Sequence, residues 1–333
     1  MTTHNKLSLF NFTSWFVLMS IVTLSPGCGP KGETIAQKVV QPVNPDYFIA
    51  DSLVEPIKKE VRTLSDGSQA ECYVITAKSF PSDHPIGPWA PKHVTDGEDK
   101  GGIWIKDGHV YNVSGEFVAH LDELYDDPEW NLVREDGSIK VTDTEEAFNL
   151  AARPDVDPRY HNHAVECPPG VIAWKSNHNV FVIPVNPVYR SVATDPHRVG
   201  DGHGPVGVAF NGVKYDPPAP IEMIIKAHTI APFDHSGGHV NPHAGYHYHA
   251  ATGQTKEIEQ PDGHAPLIGY ALDGFGIYAH LDKDEKEPKD LDECGGHYDD
   301  VRGYHYHAGA AGDNQIIGAF RGIAGSASVV EPE

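Results

Sequence analysis

The chain has 333 residues, with 47 acidic against 25 basic side chains and a formal net charge of −22. That length supplies one large domain or two ordinary ones, with ample material for a core. The acidity argues against nucleic acid and anionic membrane surfaces, which attract basic patches, and favours cations, although dispersed carboxylates also serve plain solubility.

Residues 1–28 read as a signal segment. Lys6 gives a thin positive start, Leu7 to Leu24 is a mostly apolar run, and Ser25-Pro26-Gly27-Cys28 closes it with small or turn-forming residues. Cys28 resembles the lipidated cysteine of bacterial lipoproteins, although Leu24 stands four residues before it where the usual pattern has three. A cleaved signal without lipid and an uncleaved anchor are the alternatives. Each places the mature protein outside the cytoplasm, in the cell envelope (periplasm or outer membrane) or secreted, and on the lipoprotein reading it touches a membrane only through the lipid.

Residues 29–45, with Pro30, Gly32, Pro42 and Pro45, read as a linker. Residues 46–164 read as an α+β preface without a chemical motif of its own. A strand is expected over 70–80, and a hairpin where Asp107-Gly108 separates Ile103–Ile105 from His109–Val113. One helix is expected near 117–126, with Phe117, Leu121, Leu124 and Tyr125 on a shared face. A second, over 144–152, enters through a Thr142-x-x-Glu145 capping box and stops at Arg153-Pro154. Val171–Trp174 and Val180–Val185 resume the strand pattern. Beyond Cys28 three cysteines remain, and an oxidising compartment favours a Cys72–Cys167 disulfide.

The most informative stretch follows. Gly245-Tyr246-His247-Tyr248-His249-Ala250 returns as Gly303-Tyr304-His305-Tyr306-His307-Ala308, and Asp234-x-Ser236-Gly237-Gly238-His239 as Asp292-x-Cys294-Gly295-Gly296-His297. Ten of the seventeen positions in 234–250 are identical in 292–308, and apart from Ala they are Asp, Gly, His and Tyr. A repeat that keeps polar and glycine positions while apolar ones drift speaks of chemistry or hydrogen bonding. A weaker echo precedes each block: Gly207–Gly212 against Gly269–Gly274, each holding an Asn/Asp-Gly turn. Two units, about 206–250 and 268–308, are therefore expected. The fold class is mainly β, a duplicated pseudo-twofold sandwich or barrel behind the α+β preface, with Ile316–Ile323 pairing back to close it and 324–333 as a tail.

With Ile268–Tyr278, the repeated motifs resemble the YHYH-domain family of envelope proteins, a likeness covering roughly 165–323. The resemblance implies a domain name and an extracytoplasmic habit. It implies no activity, substrate or catalytic residue.

In a strand, His247 and His249 share one face while Tyr246 and Tyr248 share the other, and His305/His307 and Tyr304/Tyr306 repeat the arrangement. A His-x-His pair begins a Zn or Cu site, and a hairpin brings His239, or His297, beside it as a third ligand. Asp234, Asp292 and Asp273 are candidates to hold those imidazoles from behind. Cys294 is a weak metal candidate, because the other copy has Ser236. His264 and His280 have no counterparts and stay ambiguous; His235 and His243 read as surface residues. The reading is metal binding by an exported, lipid-anchored protein. A metal-dependent hydrolase or oxidoreductase of the envelope, and a metal-free structural Tyr/His network, are the alternatives. No nucleophile elbow or phosphate loop is present, and nothing in the chain names a protein partner.

Overall fold

The computed structural model describes residues 39–168, 177–199, 204–242 and 244–330. The segment 1–28 with Cys28, most of the linker and the expected strand Val171–Trp174 lie outside the described residues, as does His243. The fold is mainly β.

Eight short strands make the largest sheet. In chain order they are β7 (Gly207–Ala209), β8 (Lys214–Tyr215), β9 (Gly238–Asn241), β10 (Gly245–Tyr248), β11 (Leu267–Ala271), β12 (Gly276–Tyr278), β13 (Gly296–Asp299) and β14 (Gly303–His307). Their order across the sheet is β13-β14-β12-β11-β7-β8-β10-β9. Read outward from the central antiparallel β7–β11 pair, both directions give the same pattern: a hairpin partner, a parallel neighbour, then an edge hairpin. Both Asn/Asp-Gly turns form as expected, with Gly212 and Gly274 at positive φ.

A second, antiparallel sheet has the order β1-β2-β5-β16, from β1 (Lys58–Thr63), β2 (Gln69–Lys78), β5 (His178–Pro184) and β16 (Ser326–Val330). Its inner residues Ile75, Ala77, Phe181 and Ile183 share one buried cluster with Tyr246, Tyr248, Tyr270 and Tyr306 of the large sheet. No sheet among the described residues closes into a barrel. The expected closing run ends in β15 (Phe320–Gly322), which pairs instead with β6 (Tyr189–Thr194) as a separate ribbon.

The hairpin of β3 (Ile103–Lys106) and β4 (His109–Asn112) turns on Asp107-Gly108, both with φ > 0 as its two-residue loop requires. The expected helix near 117–126 is two short ones, α1 (Gly115–Ala119) and α2 (Leu121–Tyr125), separated at His120. Their apolar face packs on Trp104 and Trp130. In α3 (Glu145–Ala151) the cap is Thr144, whose hydroxyl accepts from Ala147 N–H. Thr142 bonds the backbone of Glu166 instead, so the expected capping box does not form. A last short helix, α4 (Ile221–Ile224), precedes the first repeated block. The expected Cys72–Cys167 bridge is also absent, for a physical reason. Cys72 lies with Val74 and Val182 on the outer face of the four-stranded sheet, whereas Cys167 belongs to the main core; both are free thiols.

The repeated polar residues build the tyrosine side of the large sheet. Asp234 Oδ1 accepts from Ser236 N–H and Gly238 N–H, closing a tight turn, and its Oδ2 accepts from Tyr246 Oη–H at 2.8 Å. Asp292 accepts from Cys294 N–H, Gly296 N–H and Tyr304 Oη–H in the same way. Gly237 and Gly295 take φ = +81° at the turn. The glycine after each is needed for space, because a Cβ on Gly238 would stand 2.5 Å from the Tyr246 hydroxyl, and one on Gly296 would collide with that of Tyr304. Gly238→Ala should therefore destabilise the protein by about 1–3 kcal/mol through overpacking. A urea midpoint unchanged from the parent would show that Tyr246 has room to move aside.

Candidate metal centres

Strand pairing puts His239 directly opposite His247 on β9–β10, and His297 opposite His305 on β13–β14. His249 and His307 follow two residues along on the same face. The phenols point to the other side, where Tyr246, Tyr248 and Tyr306 are fully buried. Two separate groups result, His239/His247/His249 and His264/His297/His305/His307. Within each, one nitrogen per ring lies within 4.8 Å of all the others.

The tautomers follow from the neighbours. His247 Nδ1–H donates to Gly245 O at 2.8 Å and His249 Nδ1–H to Pro217 O at 2.6 Å, while His239 donates to the backbone of Ala231. In the second group His264, His297, His305 and His307 donate from Nδ1 to the carbonyls of Ala265, Lys289, Gly303 and Ala279. A carbonyl only accepts, so each of these Nδ1 atoms carries the single proton of a neutral imidazole. The Nε2 atoms are then bare lone pairs, and they face one another. His239 and His247 approach to 3.1 Å, His297 and His305 to 3.0 Å, His264 and His305 to 3.1 Å, and His297 and His307 to 3.2 Å. Two neutral rings of this tautomer cannot hydrogen-bond through Nε2. A proton or a metal ion placed between them would satisfy both lone pairs.

Burial opposes the proton. It lowers the pKa of His239 to about 4 and holds those of His247 and His249 well below the ordinary value, the neighbouring imidazoles adding to the effect on both. His305 falls to about 4 and His307 to about 3, again chiefly by desolvation. A metal ion suits the geometry better. Donors about 2.0–2.1 Å from a tetrahedral zinc lie roughly 3.3 Å apart, close to the spacing of the rings. Both groups can hold such an ion.

The surroundings of the two groups differ. The first is sealed: Phe233, itself fully buried, packs on His239 and His249, with Ile103 and Ile105 in the same cluster. Beside it lie the buried Lys214 and Asp216, and burial pushes the Asp216 carboxyl up to about 6 despite the lysine. The second group opens on a cleft of about 610 Å³ whose lining includes Asp262, Asp299, Arg302, His264, His297 and His307. Buried Arg302 pairs with Asp262 and Asp299 there.

All six histidines expected as ligands fall into these groups. The three carboxylates expected behind them do not. Asp234 and Asp292 hold Tyr246 and Tyr304, and Asp273 accepts from Tyr306 Oη–H at 2.6 Å, so all three serve the tyrosine face. The turn that carries each Asp folds beneath the opposite side of the sheet. His264 is the member that sequence reasoning left undecided. It has no counterpart in the repeat, and no local signal beyond its place just after the Asp262-Gly263 turn. His84 was also missed; its Nε2 meets Tyr248 Oη at 2.7 Å, on the tyrosine side. Cys294 is buried in neither group, and His235 is exposed as expected. A third cluster, Asp127, Glu129 and His228, is largely solvated.

Residues 180–290 match the model of the family described as YHYH protein, the family its repeated motif resembles. The matched stretch contains the first histidine hairpin and β11–β12 and ends before the second hairpin. Comparison with curated proteins and with solved structures finds no match. Among the described residues no helix is long and apolar enough to cross a membrane.

Folded, metal-free protein should keep His239, His247, His249, His305 and His307 neutral far into acid. Their depressed pKa means that the unfolded chain binds more protons, so these rings withdraw stability as pH falls from about 6.5 towards 4. Ring signals followed by NMR should titrate near 4 for His239 and His305. Midpoints at the ordinary value of about 6.5 would show that the rings are solvated.

Proposed function

We propose that this chain is an exported, lipid-anchored protein whose duplicated β domain binds two transition-metal ions, zinc or copper, one at each histidine hairpin. The observation that carries the reading is the orientation of the rings. Six of seven imidazoles commit Nδ1–H to a carbonyl and turn bare Nε2 atoms towards one another. A metal-free Tyr/His network would leave those lone pairs opposed in a buried space, at a cost with no compensating bond. The mirrored strand order about β7–β11 supports the duplication.

An envelope enzyme is the second reading, favoured by the cleft beside His264, His297 and His307. It fits less well. A catalytic zinc keeps an open position, whereas the cleft-facing group offers four imidazoles and the three-imidazole group is sealed from solvent.

Purified protein exposed to Zn²⁺ or Cu²⁺ should bind two ions per chain. Replacing His247 and His249 by Ala should remove one, replacing His305 and His307 by Ala the other, and Tyr246→Phe neither. At free metal 100-fold above the dissociation constant, binding should add about 2.7 kcal/mol per site to stability. Absence of bound metal, with a melting temperature indifferent to chelator, would leave the structural network as the answer.

Export and anchoring rest on Leu7–Cys28 and are tested separately. In a bacterial host the chain should fractionate with membranes and take up labelled fatty acid at Cys28. A soluble product still carrying residues 1–28 would contradict both.

A further inference from the structure

The second group supplies four imidazoles, the first only three. The carboxylate that lies against the first is Asp216, beside His247. Asp216 follows β8, the strand lying parallel to β10, and its N–H donates to Tyr248 O at 2.9 Å, which pins it beside the His-x-His strand. The next carbonyl, that of Pro217, orients His249. One dipeptide thus orients the His249 ring and brings its carboxylate beside His247. Asp216 Oδ2 lies 3.9 Å from His247 Nε2, and Oδ1 is buried with no hydrogen-bond partner. A buried carboxylate oxygen without a donor is costly, and native structures rarely leave one so unless an ion or water completes it.

The opposite half of the sheet has a different arrangement. Pairing of Tyr215 with Tyr248 and of Ile277 with Tyr306 makes Tyr278 the counterpart of Asp216. The Tyr278 ring packs on His264 and His305, and His264 supplies the fourth nitrogen. The two halves therefore fill the last position from unrelated places.

Resting on the metal reading, we propose that Asp216 is the fourth ligand of the first centre. That centre becomes a sealed three-imidazole, one-carboxylate site, beside a four-imidazole site on the cleft. The donor set specifies the class of ion. A hard, anionic oxygen in a closed shell favours a divalent ion such as Zn²⁺ or Co²⁺ over Cu⁺, which prefers softer ligands. The carboxylate also offsets half the charge of a divalent ion in a space where three neutral rings offset none. The 3.9 Å to His247 is about half an ångström beyond tetrahedral spacing, and because Asp216 stands outside the set of atoms within 4.8 Å of one another, its carboxylate must also swing towards His239 and His249 to complete the shell.

The test compares the full chain with Asp216→Asn, which keeps the shape and removes the charge. With Zn²⁺ in competition against a chromophoric chelator, the parent should show two tight sites. The variant should keep one and bind the other at least tenfold more weakly, and its Co²⁺ spectrum should change for that site alone. Melting with and without metal gives an independent readout. Zn²⁺ should raise the melting temperature of the parent by more than that of Asp216→Asn, whatever the metal-free order, in which relief of a buried carboxylate is set against loss of its attraction to Lys214. A variant less stable than the parent by the same margin with and without Zn²⁺ would give Asp216 a structural role and overturn the proposal. Two undiminished sites and an unchanged Co²⁺ spectrum would overturn it while leaving the metal reading intact. If the parent itself binds no metal, both fall together.

Discussion

A neutral imidazole has one proton and two nitrogens, and the backbone of this protein decides which nitrogen gets it. Carbonyls at Gly245, Pro217, Ala265, Lys289, Gly303 and Ala279 each hold an Nδ1–H, so the free lone pairs are turned inward. The rest of the large sheet serves that arrangement. Hairpin register sets opposing histidines side by side, two-residue alternation adds a third, and the tyrosines beneath lock the strands in rotation. Four phenols find partners on the far side, in Asp234, Asn211, Asp292 and Asp273. A ring free to turn would lose the convergence, and a strand free to slip by one residue would send every histidine into the tyrosine core.

Much of this was legible because period-two alternation and an internal repeat are both visible in one sequence. His239 opposite His247 follows from hairpin geometry alone. So do the opposed faces of His247 and Tyr246, and both Asn/Asp-Gly turns. The errors share a cause, which is that sequence does not say on which side of a sheet a turn or a distant strand will lie. Asp234 looked like a partner for histidine because it precedes one, yet its turn tucks under the tyrosines. Cys72 and Cys167 looked like a pair because both were left over, yet β2 turns Cys72 to its outer face. His264 lies between the two repeat units, and Asp216 lies inside the first but is replaced by Tyr278 in the second. No local pattern could have named them.

The departures from strict repetition also have physical meaning. Ser236 becomes Cys294, and Asn211 becomes Asp273, without changing which tyrosine is held; the hydrogen bond reverses, since Asn211 Nδ2–H donates to Tyr248 Oη whereas Asp273 accepts from Tyr306 Oη–H. Asp216 and Tyr278 are a different kind of exchange. One places a charge against the imidazoles, the other an aromatic ring, and Phe233 covers only the first of the two groups. The two edges of one sheet thus present a dry, enclosed set of nitrogens and a wet, accessible one.

The parts of this protein also come together on different clocks. The four-stranded sheet draws β1 and β2 from residues 58–78, β5 from 178–184 and β16 from 326–330. Pairings so distant along the chain form slowly, and this sheet cannot be finished until the last strand has been made. Each histidine hairpin, by contrast, spans little more than ten residues, and such hairpins close in about 1–10 μs. Three nitrogens can therefore meet within a newly emerged segment long before there is a core to bury them. Asp216 and His264 join through β8 and through the turn before β11. During synthesis, three clustered imidazoles can accordingly precede the enclosed surroundings that each hairpin gains as the sheet assembles around it.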